Sequence, residues 1–554
     1  MEILGLRGLR NAVVGVFVAC LVSGMLLPVY TDEVGWRFQE RAAIDGVDKL
    51  YTDTCGANTL AVPPFFMMPV RYFSAVMNTT FADPFYVRLS GVGYALLWAL
   101  LLLVLIRRLV DDVQARRQLS IVGIGLMALG TLPLQLVWSR PEQPIVLALT
   151  AALLIAWSDW RNPGAPTPAR TAWLRSGAIM LLGVVAVSYH MKGVFLLPLL
   201  LACIVLASRG RASIVPRAAM GVLLMGLMAW AVHYWLGRLR CPDDPVLWKI
   251  YAAHSVGALL SDVKGLGDVF GAIGRLIGNM SPMTYFDLPA PKLYPMSSWL
   301  ESGLVSFGEF RAWIIVLRLA WLLTLTMAAI AIYASLRGSL PRRRIDPRAA
   351  VAVLLLGTGL IWSATQLIRN VYDSTFVLPI MMLGVVFGLA ALWGEDARSG
   401  AGLVRKRMTA AIWVMGVLAI ASPIAVTSTY GPSLVRAAGE RGYLEKQPFS
   451  LSIFGYASVR PEILATARLC GIDDPAKANA LLIDDLTYFA VMKSRLPQHR
   501  LGVLGMWHGK IDDPIAYLKS RGSDGAILGC HILPGDLRAR AKRRGAFCCL
   551  GPLK

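Results

Sequence analysis

The chain has 554 residues, of which 56% are hydrophobic and 16% charged, with a mean hydropathy of +0.57 and a formal net charge of +21. A soluble fold this apolar would lack the polar surface to cover its core, and disordered chains and coiled coils are far more polar, which leaves a polytopic membrane protein. In a soluble chain the basic excess would suggest nucleic acid; here it first has to be placed relative to a bilayer.

A helical span needs roughly 20 mostly apolar residues, because the backbone must satisfy its own hydrogen bonds in lipid. In chain order, eleven stretches qualify: 11–29, 86–106, 119–138, 142–157, 172–188, 193–207, 217–236, 311–336, 349–367, 374–393 and 409–428. Only a few polar residues separate 119–138 from 142–157 and 172–188 from 193–207, so each pair reads as a tight hairpin. Arg7 and Arg10 precede the first apolar run as in a signal peptide, but no clean small-x-small site follows, and the run reads as an uncleaved first span.

The connections 1–10, 107–118, 158–175, 208–217, 337–348 and 394–408 alternate onto one side and hold 21 Lys/Arg against 7 Asp/Glu, a net +14. The short opposite turns carry one basic residue each: Arg140, Lys192 and Arg369. That asymmetry puts the N-terminus in the cytoplasm and residue 430 onward outside. The charge therefore encodes topology, and nothing remains to support a nucleic-acid partner.

Residues 1–429 form the expected transmembrane domain, with extracytoplasmic loops 30–85 and 237–310. Residues 430–554 form a soluble extracytoplasmic domain. Its apolar runs at 480–483, 501–506, 526–530 and 546–550 alternate with helix-like stretches at 486–496, 513–520 and 535–544, predicting a small α/β fold with parallel strands. Of the eight cysteines, Cys20 and Cys203 fall in spans and the other six outside, where disulfides persist. Cys55 and Cys241 are the only cysteines of the two loops; a bridge between them and two free thiols are both open.

The polar clusters fall at external span ends. Asp32-Glu33 follows the first span, Arg140-Pro141-Glu142 and His190-Met191-Lys192 occupy two outer turns, and Arg369 to Asp373 occupies the last. Each alone has a plain reading: a helix end in water for Asp32-Glu33, cations reaching lipid phosphate for Arg140 and Lys192, an interfacial ring for His190 and Tyr372. Their shared face carries the functional case. Paired carboxylates supply a base and an orienting group, while Lys and Arg bind a phosphate and stabilise it as a leaving group. The acidic pairs Asp243-Asp244, Asp473-Asp474, Asp484-Asp485 and Asp512-Asp513 mostly precede Pro or helix-like runs and read as helix caps rather than metal ligands.

The stretch Tyr30 to Glu40, with Asp32-Glu33, resembles the Asp-Glu segment after the first helix of GT-C membrane glycosyltransferases, in particular the aminoarabinose (lipid A) transferases and protein O-mannosyltransferases. Val87-Arg88-Leu89 is similar to the Arg-Leu step that opens their next span. Ser139 to Glu142 resembles their Arg-Pro-acidic turn, and Met191 to Pro198 their Lys-Gly helix start. Arg369 to Tyr372, with Leu378-Pro379, resembles a late basic-aromatic segment. Glu142 stands where Asp is common, and His190 where a small or hydroxyl residue is usual.

The resemblance implies a GT-C-like bundle that transfers a hexosyl or pentosyl group from a polyprenyl-phosphate donor to an acceptor hydroxyl, inverting the anomeric centre. Asp32 is then the base, Glu33 and Glu142 supporting carboxylates, and Lys192, Arg369, Arg140, His190 and Tyr372 the phosphate-binding set. Trp36 and Arg88 are candidate contacts to acceptor or lipid. Residues 33–50 read as an amphipathic helix over the cavity, and 63–68 as an apolar, Pro-stiffened stretch against lipid. The partners implied are the bilayer of a bacterial inner membrane, the lipid-linked sugar and a glycan, lipid or protein acceptor, with no metal or other cofactor required. The alternatives are a transporter or flippase, for which ionisable groups belong inside spans, and another lipid-linked glycan ligase or polymerase.

Overall fold

A computed structural model of the protein describes residues 2–27, 29, 33–34, 37, 62–66, 69, 83–130, 132–158, 166–240, 242, 248, 307–339, 345–364, 371–393, 402–439, 453–475, 478, 481–484, 486–491, 499–500, 514–520, 522–531, 533 and 535–552. The first helix, α1 (Glu2–Ser23), runs into a short 3₁₀ turn at Gly24–Leu26. Helix α2 (Pro84–Leu109) begins where Asp83 caps it, its carboxylate accepting from Phe85 N at 2.8 Å with Pro84 in the first turn, and it ends with Arg107 and Arg108 against the negative end of the helix dipole. Asp112 caps α3 (Val113–Met127) in the same way. There follow α4 (Leu132–Gln135), α5 (Glu142–Ala156), α6 (Ala169–Tyr189), a 3₁₀ turn at Met191–Leu196, α7 (Leu197–Leu206), α8 (Ile214–Leu239), α9 (Phe307–Ser339), α10 (Pro347–Ala364), α11 (Val371–Ala390) and α12 (Gly402–Gly439).

Among the described residues, seven helical segments are long and apolar enough to cross a membrane: Gly5–Leu26, Pro84–Leu109, Ala169–Tyr189, Arg211–Arg238, Ile315–Gly338, Phe376–Trp393 and Met408–Ser428. Three shorter apolar helices, Glu142–Ala156, Met191–Leu206 and Pro347–Leu360, fall on three further predicted spans. The class is a polytopic α-helical membrane protein. Helix α11 and the 3₁₀ turn after it, Ala391–Trp393, form the most deeply packed segment, buried continuously from Phe376 to Leu392. Apolar side chains left exposed on α8 (Val222, Leu223), α9 (Ile315, Leu319) and α12 (Val414, Val417) form the outward surface that lipid would cover.

The expected span 119–138 is not one helix. Helix α3 ends at Met127, and the chain then passes through Gly130 at φ +56° and the single turn of α4 before reaching Glu142. Positive φ is open to glycine at little cost and ends a helix there. The broken segment is nonetheless almost wholly buried, and Gly130 N donates to Ser422 Oγ on α12 at 3.0 Å. Irregular backbone at membrane depth is tolerated only where protein or a cavity satisfies it. On the other side, Gly91 of α2 faces the Val137 carbonyl so closely that a Cβ there would overlap it.

The C-terminal domain holds α13 (Tyr456–Leu469), α14 (Tyr488–Val491), α15 (Pro514–Ser520), α16 (Gly535–Arg540) and the strands β1 (Leu482–Ile483), β2 (His499–Arg500), β3 (Ala526–Gly529), β4 (Lys542–Arg544) and β5 (Phe547–Leu550). They form one five-stranded sheet in the order β2-β1-β3-β5-β4. As expected, β1 pairs in parallel with β2 and β3; β5 runs antiparallel to both β3 and β4. The expected helix 535–544 stops at Arg540. Gly545, at φ +57°, turns the chain so that Lys542–Arg544 hairpins onto β5 as an exposed edge strand.

Asp484, one of the candidate metal pairs, is buried and accepts from Thr487 N, Thr487 Oγ1 and Gly529 N, which makes it a brace of the sheet. Cys470 bonds Cys549, and Cys530 bonds Cys548. Cys20 and Cys203 are free and buried in the membrane domain. The candidates Cys55 and Cys241 lie outside the described residues.

Candidate functional site

The turn Ser139-Arg140-Pro141-Glu142 follows from the broken helix. Because α3 ends early, the chain returns through buried backbone and delivers these four residues to the rim between α2 and α6. Two ion clusters meet on it.

In the first, Arg88 of α2 holds Glu33 in a two-pronged pair, Nε to Oε1 at 3.0 Å and Nη2 to Oε2 at 2.6 Å. Its Nη1 donates to the carbonyls of Gly24 and Leu27 at 2.8 and 3.0 Å, tying the end of the first span to the second. Ser139 N donates to Glu33 Oε1 at 3.1 Å, and Ser90 and Ser139 share a hydroxyl hydrogen bond of 2.9 Å. Arg37 reaches Ser139 Oγ at 3.4 Å. Both members of the pair are about 1% exposed. Arg88 was expected at the acceptor or lipid; the structure buries it on Glu33 and two backbone carbonyls. Glu33, the residue after Asp32, is sealed from solvent and is itself the braced position.

In the second, Arg140 donates from Nε to Glu142 Oε2 at 3.0 Å and from Nη2 to Oε1 at 3.1 Å. Lys192 Nζ donates to the same Oε1 at 2.8 Å. The carboxylate is 1% exposed, the guanidinium side 4% and the lysine 13%, so Lys192 is the member with a route to a ligand. The lysine is placed by His190, which leaves helical geometry after α6 and accepts Lys192 N on Nδ1 at 3.0 Å. A ring that accepts on Nδ1 carries its own proton on Nε2 when neutral. Gly193 lets the 3₁₀ turn press against the backbone of Ala186, where a Cβ would meet the Ala186 carbonyl carbon at 2.6 Å.

One carboxylate beside two cations leaves local positive charge at a membrane rim, an arrangement suited to an anion. Beneath it lies a small cavity lined by Tyr94, Trp98, Gln135, Trp138, Arg140 and Pro379.

Three of the four polar segments singled out in the sequence thus converge: Glu33 with Arg88, and Arg140 with Glu142, Lys192 and His190. Asp32, Trp36 and Arg369 lie outside the described residues, as does most of the expected helix 33–50. Tyr372 falls in the first turn of α11, where the backbone alone is described. The stretch 63–68 is described in part: Phe65 and Phe66 pack on Trp230 of α8 at 6.4 and 5.8 Å, with Phe65 and Trp230 about half exposed. Sequence reasoning missed Gln143, whose Nε2 donates to Gly91 O and Leu136 O at 3.1 and 2.6 Å and fixes the turn on α2. Arg37 and Ser90 fall inside stretches the sequence singled out, but no role was assigned to either.

No protein-family model matches the chain, and no curated protein matches it. Among solved structures it is similar to the Archaeoglobus fulgidus oligosaccharyltransferase tethered with an acceptor peptide, at 9% identity and a TM-score of 0.43, over 94% of this chain and 69% of that one. It is similar to AglB of the same organism in complex with an inhibitory peptide and a dolichol-phosphate, at 11% identity and a TM-score of 0.42, over 94% and 69%. It is also similar to ArnT from Cupriavidus metallidurans bound to undecaprenyl phosphate, at 12% identity and a TM-score of 0.37, over 97% of each chain. No residue role is carried across from them.

Proposed function

We propose that the protein transfers a hexosyl or pentosyl group from a polyprenyl-phosphate donor to an acceptor hydroxyl at the extracytoplasmic face of a bacterial inner membrane. The observation that carries this reading is the buried Arg140–Glu142–Lys192 cluster, which gathers two cations on one carboxylate at the rim of an apolar bundle. A lipid phosphate is the anion that such a rim receives with its tail still in the membrane. Glu142 orients the two cations, and Lys192, with Arg140, His190, Arg369 and Tyr372, neutralises the phosphate as it leaves.

Asp32 takes the proton of the acceptor hydroxyl. The acceptor oxygen forms its bond to the anomeric carbon as the bond from that carbon to the phosphate oxygen breaks, so the configuration inverts. The leaving group is a stable phosphate monoester anion, and the reaction so written uses no metal ion. The two disulfides of the C-terminal domain support its placement in an oxidising compartment, opposite the Lys/Arg-rich connections.

The test pairs native mass spectrometry with transfer assays on the purified protein. Wild type is expected to retain a polyprenyl-phosphate sugar. Asp32→Asn is expected to bind the donor and lose transfer by on the order of 100-fold or more. Transfer at the wild-type rate in folded Asp32→Asn overturns the base; failure of wild type to bind any lipid phosphate overturns the function.

A further inference from the structure

We infer that helix α13 of the C-terminal domain is a positioning element of the transfer site, acting through the chain on either side of Asp32. The inference rests on the function proposed above.

One hydrophobic cluster crosses from the C-terminal domain into the membrane domain. It joins Ile453, Tyr456, Val459 and Ile463 to Val29, Val34 and Val87. The three valines are at most 3% exposed. At the edge of the cluster, Phe454 meets Phe85 in the first turn of α2, ring centroids 6.1 Å apart. A domain merely tethered after the last span would leave Val29 and Val34 in water. Here they are core residues of a unit that begins more than 400 positions later.

Glu33, between them, is held from the membrane side. Its carboxylate is gripped by Arg88, whose other arm holds the Gly24 and Leu27 carbonyls. Val29, Glu33 and Val34 are therefore held from two sides, Glu33 by the Arg88 guanidinium and the two valines by the cluster that α13 anchors. Alternate burial of Glu33 and Val34 in opposite environments also fixes the rotation of the chain there.

Helix α13 can carry this load because it is itself fastened to the sheet. Cys470, immediately after it, bonds Cys549 of β5. Glu462 Oε1 accepts Ala546 N at 2.9 Å, and Lys542 Nζ donates to the Leu469 carbonyl at 2.7 Å. Catalytic groups lose rate steeply when misplaced by an ångström. A helix that sets the base segment is thus expected to govern turnover rather than donor affinity.

The experiment uses the full chain in nanodiscs with a synthetic polyprenyl-phosphate sugar. Val459→Ala loosens the cluster from the C-terminal side and Val87→Ala from the membrane side. Leu537→Ala is the control, since Leu537 belongs to the cluster on the other face of the sheet, with Leu528, Leu533 and Cys548. Deuterium uptake at residues 29–34 reads the clamp independently of activity.

Both cluster variants are expected to raise that uptake and to lower kcat by on the order of 10- to 100-fold with donor Kd unchanged, while Val459→Ile restores the rate. Leu537→Ala is expected to leave both readouts at wild type. Wild-type uptake and kcat in folded Val459→Ala and Val87→Ala overturn the inference, as does an equal loss in Leu537→Ala. A wild-type protein without transferase activity overturns the proposed function alone, and the uptake at 29–34 still decides the clamp.

Discussion

Two Arg–Glu pairs sit one residue apart at the same rim, joined by Ser139 and Arg140, and they differ in what surrounds them. Arg88–Glu33 is closed: the guanidinium also holds two backbone carbonyls, the carboxylate also accepts Ser139 N, and both side chains are sealed from solvent. Arg140–Glu142 is open on one side, through a lysine that keeps partial exposure. The same two residue types thus serve as a joint in one place and as a receptor in the other. Burial of the third participant separates the roles.

The largest expected effect breaks the closed pair. Arg88→Ala leaves a buried carboxylate without its cation and should destabilise the fold by about 3–5 kcal/mol, read as loss of monodisperse protein on size exclusion and a collapse in Tm. The open pair should respond differently. Lys192→Ala removes one of the two cations on Glu142, which keeps Arg140, so it is expected to lower Tm less than Arg88→Ala while lowering transfer by on the order of 100- to 1,000-fold through lost charge stabilisation at the leaving phosphate. If both variants lose Tm equally, the distinction between joint and receptor fails.

The smallest effect sharpens the boundary of the closed region. Tyr456 is 2% exposed, and its hydroxyl has no hydrogen-bond partner among the described residues. Burial pushes its phenol far up from the usual value near 10, with the nearby Arg460 opposing. A folded pKa raised above the unfolded one gives stability that is full below pH 10 and lost as pH rises beyond it. Tyr456→Phe removes both the unpaired hydroxyl and this titration. It is expected to be neutral or stabilising by about 1 kcal/mol at pH 7 and to flatten the decline in Tm above pH 10.

Much of the membrane domain was legible because lipid imposes one rule, a long apolar helix, and the helix ends bear ordinary caps such as Asp83 and Asp112. The broken third span was not legible. Its residues are as apolar as a helix, and only Gly130 and Pro133 betray the break; what stabilises it, the close approach of Gly91 and the Ser422 hydroxyl, lies in distant helices. The site residues Glu142, Lys192 and His190 were readable as outer-turn polar groups. The pairing of Arg88 was not: it read as a contact to acceptor or lipid, and only the fold places it on Glu33. In the C-terminal domain the alternation fixed most strands, but the basic run 542–544 read as helix because edge strands and solvated helix faces share composition.

Cys548 and Cys549 are adjacent on β5, so their side chains point to opposite faces of the sheet, and each bonds a cysteine on its own side. The alternative pairing, Cys470 with Cys548 and Cys530 with Cys549, needs only a slip of one residue in that strand, which would turn Phe547 and Leu550 to the wrong faces. Oxidation of this domain therefore meets two adjacent, nearly equivalent thiols and one productive choice. The closing strand stays correctable only while its disulfides can still be exchanged.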